Sequence, residues 1–117
     1  MVEKHPDIVQ HMVDASIEGW YSYMYGDPKP GNDLIKKDNP EMTDEQIAYS
    51  IGIMKKYGIV DSGDSLKLGI GAMTDARWKA FFDTAVAVGQ YPATMDYKKA
   101  YTLQFVNKRH GIEMAKH

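Results

Sequence analysis

Two glycines one residue apart, Gly69 and Gly71, stand just before a predicted helix start in the stretch GIGAMTDARW. Backbone N–H groups at the beginning of a helix can bind a phosphate. A dinucleotide-binding fingerprint, however, needs a third glycine where Thr74 stands, and a phosphate-binding P-loop needs Gly-Lys-Ser/Thr after a four-residue gap. Neither pattern is present, so we interpret the two glycines as breaks between elements of secondary structure.

Other residue types capable of chemistry do not form a recognisable site. The 4 histidines lie towards the two ends of the chain, and no two of them have the i, i+4 spacing that presents two metal ligands on one helix face. The stretch DSGDS, residues 61–65, lacks the oxygen spacing and distal glutamate of a calcium loop, so it predicts a turn. The chain has no cysteine and no serine in a nucleophile-elbow context. We therefore assign no catalytic residue, no metal ligand and no cofactor, and expect a protein that is not an enzyme.

Aromatic residues are the remaining chemical signal. The stretch GWYSYMY, residues 19–25, contains one tryptophan and three tyrosines, which are residue types that line ligand pockets. On a helix, Trp20, Tyr21 and Met24 share the apolar face, whereas Tyr23 and Tyr25 point to its flanks. The pattern favours packing in the core, with a role in a pocket as the alternative.

The composition sets the class of protein. The 117 residues are 44% apolar and 26% charged with a net charge of −2, which indicates one folded domain of ordinary globular type. The basic residues form dispersed doublets, most of them near predicted helix ends, and we expect no nucleic-acid partner. No stretch approaches the length of a membrane span. The N-terminal sequence has no apolar run typical of a signal peptide, so the localisation of this chain as it stands is left open.

The elements that would position any site are predicted to be helices. Pro6 suits the first position of a helix, and apolar residues then recur at spacings of three and four up to a stop at Gly26. We interpret this recurrence as a single core-facing stripe, which comprises Ile8, Met12, Val13, Ile17, Trp20, Tyr21 and Met24. A short helix is predicted over residues 33–38, after a loop with two prolines.

Two further helices carry the same start signal, Met-Thr-Asp. Thr43 is predicted to cap one helix in a capping box with Gln46, and Thr74 is predicted to cap another. Gly58 and Gly89 are predicted to end them. Between them, the alternation in SLKLGIG, residues 65–71, predicts a short strand or extended arm.

Several of these stretches resemble the C-terminal part of ABC-transporter solute-binding proteins, in the subgroup related to thiamine-pyrimidine, sulfonate and nitrate binding proteins. The similarity spans about Pro6 to Asn107 and corresponds to about the last third of such a protein. It is carried by IEGWYSYMYGDP, NPEMTDEQIAYSIGIMKKYGIVDSGD, GIGAMTDARWKAFFD and DYKKAYTLQFV.

This resemblance implies the truncated C-terminal helical portion of a type 2 periplasmic-binding-protein fold. We expect a mainly α structure with three main helices, short helices and one short extended segment. Residues 1–117 would form a single helical domain, with 108–117 as a flexible tail. The signal peptide, both sheet-containing halves, the hinge strands and most of the cleft of such receptors have no counterpart in these residues.

The resemblance also implies the functional expectations. The intact protein would bind a small polar solute in the periplasm and deliver it to an ABC permease. Within the matching stretches, Trp20, Tyr23 and Arg77 are the candidate ligand-binding residues. Apolar stripes shaped to pack on an absent layer tend to find a partner, so we expect a homodimer or higher oligomer. The alternative function is a stand-alone, self-associating helical interaction module without ligand binding, and a small metal-free enzyme is a third possibility.

Overall fold

The computed structural model describes residues 1–115 and is mainly α-helical, as predicted. Lys116 and His117, the end of the predicted tail, lie outside the described residues. Four of the described helices have ten or more residues: α1 (Pro6–Tyr25), α2 (Lys29–Asp38), α3 (Asp44–Lys56) and α5 (Asp75–Ala87). A single helical turn, α4 (Ser65–Leu68), lies between α3 and α5. Two short 3-10 helices, Tyr97–Ala100 and Ile112–Ala115, come last.

Helix α1 begins and ends as the sequence predicts. Pro6 occupies its first turn, and the N–H of Gly26 donates to the carbonyl of Ser22 at 2.8 Å. The single core-facing stripe, however, is wrong. Only Ile17, Tyr21 and Met24 are buried in α1, whereas the other large apolar residues of the predicted stripe range from half-buried to exposed. The helix therefore has a buried apolar face and a second apolar face that is open.

The start signals of α3 and α5 are confirmed. The Thr43 hydroxyl accepts from the N–H of Gln46 at 3.1 Å, and the Gln46 side chain accepts from the N–H of Thr43 at 3.2 Å. Thr74 caps α5 by accepting from the N–H of Arg77 at 3.1 Å. Both helices end in Schellman motifs, with Gly58 and Gly89 at positive φ.

Two predicted elements differ from the structure. Helix α2 begins at Lys29 instead of residue 33, because Pro30 falls in its first turn, where the missing N–H removes no helical hydrogen bond. Residues 65–68 form a helical turn and not a strand. The Ser65 hydroxyl accepts from the N–H of Ser62 at 2.7 Å and donates to Asp61 Oδ1 at 2.5 Å, which winds the chain into a turn.

The small core joins α1 to the second half of the chain. Ile17 and Tyr21 pack with Ile70. The partly buried side chains around them come from α1, from the segment after α3 and from the C-terminal 3-10 helix: Val13, Tyr25, Val60, Ile112 and Ala115. Residues 108–115, predicted to belong to a flexible tail, lie along α1. His110 Nε2 is 3.0 Å from Glu18 Oε1, and the Lys108 ammonium donates to the Gln10 side chain at 2.7 Å.

Two of the stretches that carry the family resemblance pack against each other. The rings of Trp78 in α5 and Tyr101 are stacked 4.5 Å apart with 4° between their planes. Asn107 Oδ1 accepts a hydrogen bond from the backbone N–H of Met73 at 3.0 Å, and Asn107 Nδ2 donates to the Met73 carbonyl at 2.6 Å. The C-terminal segment thus fixes the start of α5.

The fold is open for its size. Its accessible surface is 8606 Å², whereas a compact monomer of 13.2 kDa exposes about 6,400 Å². Its radius of gyration is 17.0 Å, against about 13 Å for a compact chain of this length. The described residues therefore leave about 2,200 Å² more surface in contact with solvent than a chain of this mass needs to.

Candidate interaction groove

An apolar groove lies between α1, α2 and α3. It has a volume of about 590 Å³ and is open to solvent. Among the described residues that line it, none is charged, and its polar groups are confined to the hydroxyls of two serines and one tyrosine and the indole N–H. The lining comprises Ser16, Gly19, Trp20, Tyr23, Gly31, Ile35, Met42, Ile47, Ser50 and Met54.

The wall from α1 is held by aromatic and hydrogen-bond contacts. Trp20 and Tyr23 lie three residues apart, and their rings meet edge to face with centroids 6.4 Å apart. The Tyr23 hydroxyl donates to Asn32 Oδ1 at 2.5 Å, which ties α1 to α2. A side chain at Gly31 would meet the Tyr23 ring at 3.2 Å, so the glycine lets α2 approach closely. These contacts fix the width of the groove.

The wall from α3 is positioned by its N-terminal cap. The capping box at Thr43 sets where the helix begins, and Ile47 then falls in the interior with 2% of its surface exposed. Met54 lies seven residues further along the same face. Met42, just before the cap, also lines the groove. Flexible methionine side chains at two places make this an adaptable apolar surface.

The structure brings together two of the three candidate ligand-binding residues. Trp20 and Tyr23 both line the groove. Arg77 does not; it is exposed in the first turn of α5 and borders two other surface depressions. The three side chains therefore share no cavity, and the groove by itself offers no guanidinium to an anionic solute.

Two tyrosines of α1, Tyr23 in the groove and Tyr25 against the core, are held in the protonated form. Burial raises the pKa of Tyr23 above its usual value of 10.0. The Tyr25 hydroxyl donates to the Asp61 carboxylate, and this hydrogen bond, helped by burial, raises the pKa of Tyr25 to about 12. Phenols in this state are hydrogen-bond donors at neutral pH and not general bases. The groove is therefore built for contact with apolar surface and not for proton transfer.

Within residues 1–115, no group of three or more histidine, aspartate and glutamate side chains is arranged to hold a metal ion. No buried side-chain polar atom in that range lacks a hydrogen-bond partner. None of the described helices is both long and apolar enough to cross a membrane.

The sequence predicts some of the residues that line the groove but not all of them. Trp20 was predicted on the apolar face of α1 and Tyr23 on its flank, with packing in the core as the favoured interpretation and a pocket as the alternative. Gly31 was missed because α2 was predicted to begin at residue 33 instead of Lys29. Pro30 was the available signal, since proline is favoured in the first turn of a helix.

Comparison with known proteins gives no relative. No family model matches the chain, and neither the curated proteins nor the solved structures contain a significant match.

Proposed function

We propose that this chain is the helical C-terminal portion of a solute-binding protein of an ABC transporter, whose inherited role is to bind a small polar solute for uptake. The observation that carries the proposal is the open apolar surface of helices whose sequences resemble that family. The fold exposes about 2,200 Å² beyond what its mass requires. Helices that evolved to wrap a sheet-containing lobe keep such faces.

In this proposal, the open faces of α1, α2 and α3 pack on the first lobe of the receptor, and the solute lies in the cleft beyond it. The uncharged lining of the groove supports a contact with protein over a contact with a polar solute. In this arrangement Trp20 and Tyr23 contact the lobe, and Arg77, which lies outside the groove, is the candidate ligand contact. A permease and a periplasmic location belong to the intact receptor.

Thermal denaturation with added solutes tests solute binding by this chain. Pyrimidines, sulfonates, nitrate and small carboxylates form the panel suggested by the resemblance. A ligand present at about 100 times its dissociation constant stabilises the fold by about 2.7 kcal/mol, which raises the midpoint by about 10 °C. A reproducible rise with one class, reduced by Arg77→Ala, supports the proposal. An unchanged midpoint across the panel contradicts solute binding by this chain.

The second candidate function is that of a self-associating helical module without ligand binding. None of the described residues that line the groove is charged, which favours this function because the centres of protein interfaces are depleted in charge. Sedimentation velocity tests it directly. A species of twice the 13.2 kDa chain mass at micromolar concentration supports self-association, and a folded monomer throughout that range contradicts it.

A further inference from the structure

Helix α1 has an outer face that contains no charged residue over its whole length. Successive residues of a helix are turned by about 100°, so residues of α1 can be placed around its axis. Its acidic and basic residues, Asp7, His11, Asp14 and Glu18, fall together on one side. An arc of about 120° between that side and the buried face is formed by Ile8, Val9, Met12, Ser16, Gly19, Trp20 and Tyr23.

This outer face is open along the described helix. Met12 is 69% exposed, Ile8 48% and Trp20 44%. A side chain at Gly19 would have no atom within 4 Å, so the middle of the face is open space in the single chain. The C-terminal half of the face is continuous with the groove, which Ser16, Gly19, Trp20 and Tyr23 border. Together they form one apolar surface that no described residue covers.

We propose that in the isolated chain a second copy covers this surface, in a two-fold dimer in which α1 packs against α1 of its partner with closest approach at Gly19. The inference rests on the proposed self-association and names its interface. In a two-fold dimer the same surface patch of each subunit forms the interface, so a charged residue near the centre of the patch would face the same charge on the partner. The outer face of α1 meets this requirement because its residues are uncharged. The glycine allows two backbones to approach closely.

The available area agrees with a stable dimer. Obligate homodimers bury about 1,000 to 2,500 Å² on each subunit, which matches the excess of about 2,200 Å² that this fold exposes. α1 is 20 residues long, or about 30 Å, so a helix pair along it can supply a large part of that area. A small solute in the groove would leave the N-terminal half of the face, with Ile8 and Met12, uncovered.

Sedimentation equilibrium of the full chain and three variants tests the interface. Met12→Glu puts a charge on the outer face, and Gly19→Leu puts a bulky side chain at the proposed crossing. Phe81→Glu is the matched control, because Phe81 is 70% exposed, as Met12 is at 69%, but lies on α5. We expect both α1 variants to weaken the dimer by at least about thirtyfold, the change typical of a central interface residue, and the control to leave it unchanged.

The variants are expected to fold. Glutamate and leucine are good helix formers, both positions are exposed, and leucine in place of glycine favours the helix. Circular dichroism checks this for each. If the unaltered chain is a monomer at every concentration, both the interface and the self-association are wrong. If the chain dimerises but only Phe81→Glu dissociates it, the α1 interface is wrong and self-association stands.

Discussion

Replacing Tyr21 with phenylalanine should destabilise the fold through a single atom. Tyr21 is 1% exposed, and its hydroxyl oxygen accepts the backbone N–H of Ile70 at 3.0 Å. This bond links α1 to a segment 49 residues away in sequence, at the centre of the small core. Tyr21→Phe keeps the ring but leaves the buried Ile70 N–H without an acceptor.

The expected loss follows from the burial of the donor. An unpaired buried N–H costs about 1 to 3 kcal/mol, whereas a chain of 117 residues has a total stability of about 6 to 18 kcal/mol. The small core places this fold towards the lower end, so the loss is a substantial fraction of the whole. We expect the thermal midpoint to fall by about 4 to 12 °C at fixed protein concentration.

Tyr23→Phe is the matched control. It removes the same hydroxyl from the same helix two residues away, but its partner, the Asn32 side chain, is only partly buried and can bind water instead. The free energy of unfolding of both variants is measured by urea denaturation followed by circular dichroism. Equal losses in the two variants, or a Tyr21→Phe loss within about 0.5 kcal/mol of zero, would refute the assignment of the Ile70 contact as a main link in the core.

Three other predictions concern one helix cap, one tyrosine and one glycine. Thr43→Ala removes the capping box of α3 and should lower the free energy of unfolding by about 1 kcal/mol in urea denaturation. The raised pKa of Tyr25 stabilises the fold below pH 10, because the unfolded phenol ionises first. That contribution is lost as the pH rises from about 10 to 12, so Tyr25→Phe should reduce the fall in thermal midpoint over this pH range. An unchanged slope would contradict the hydrogen bond to Asp61 as the cause of the raised pKa. Gly69→Ala should lower the free energy of unfolding by about 1 to 3 kcal/mol, because φ is +99° and the new Cβ would lie 3.2 Å from neighbouring backbone. The loss should exceed that of Gly63→Ala, where φ is +57° and the new Cβ would have no atom within 4 Å apart from those of its own residue and its two chain neighbours.

Local chemistry explains which helices the sequence predicts correctly. The caps at Thr43 and Thr74 and the stops at Gly58 and Gly89 act within a few residues, so the sequence alone specifies them. The turn at residues 65–68 was predicted to be extended because its leucines alternate. In the structure, hydrogen bonds of Ser65 determine the local conformation, and Leu66 is 60% exposed, so its alternation reports no buried strand face.

The groove could not be predicted in the same way, because it depends on how three helices sit together. Periodicity identified Trp20 as apolar-facing, but not that α2 lies across Tyr23 to form a wall. That placement depends on the absence of a side chain at Gly31, where a Cβ would lie 3.2 Å from the Tyr23 ring, and on the hydrogen bond from Tyr23 to Asn32. Both are contacts between two helices, and the local sequence of either helix does not predict them.

The predicted apolar stripe of α1 is wider than the face of the helix that is buried. Residues such as Met12 and Ile17, treated as one stripe, span more of the helix surface than the chain itself can cover, and only Ile17, Tyr21 and Met24 find a buried place. A helix in a self-sufficient monomer needs one apolar face, with polar residues elsewhere. A second, uncharged apolar face is therefore the expected mark of a helix that packs between two layers, one supplied by this chain and one supplied by a partner. Charged substitutions at Met12 and Phe81 separate that account from simple surface hydrophobicity, since the two side chains are equally exposed and only one lies on the second face of α1.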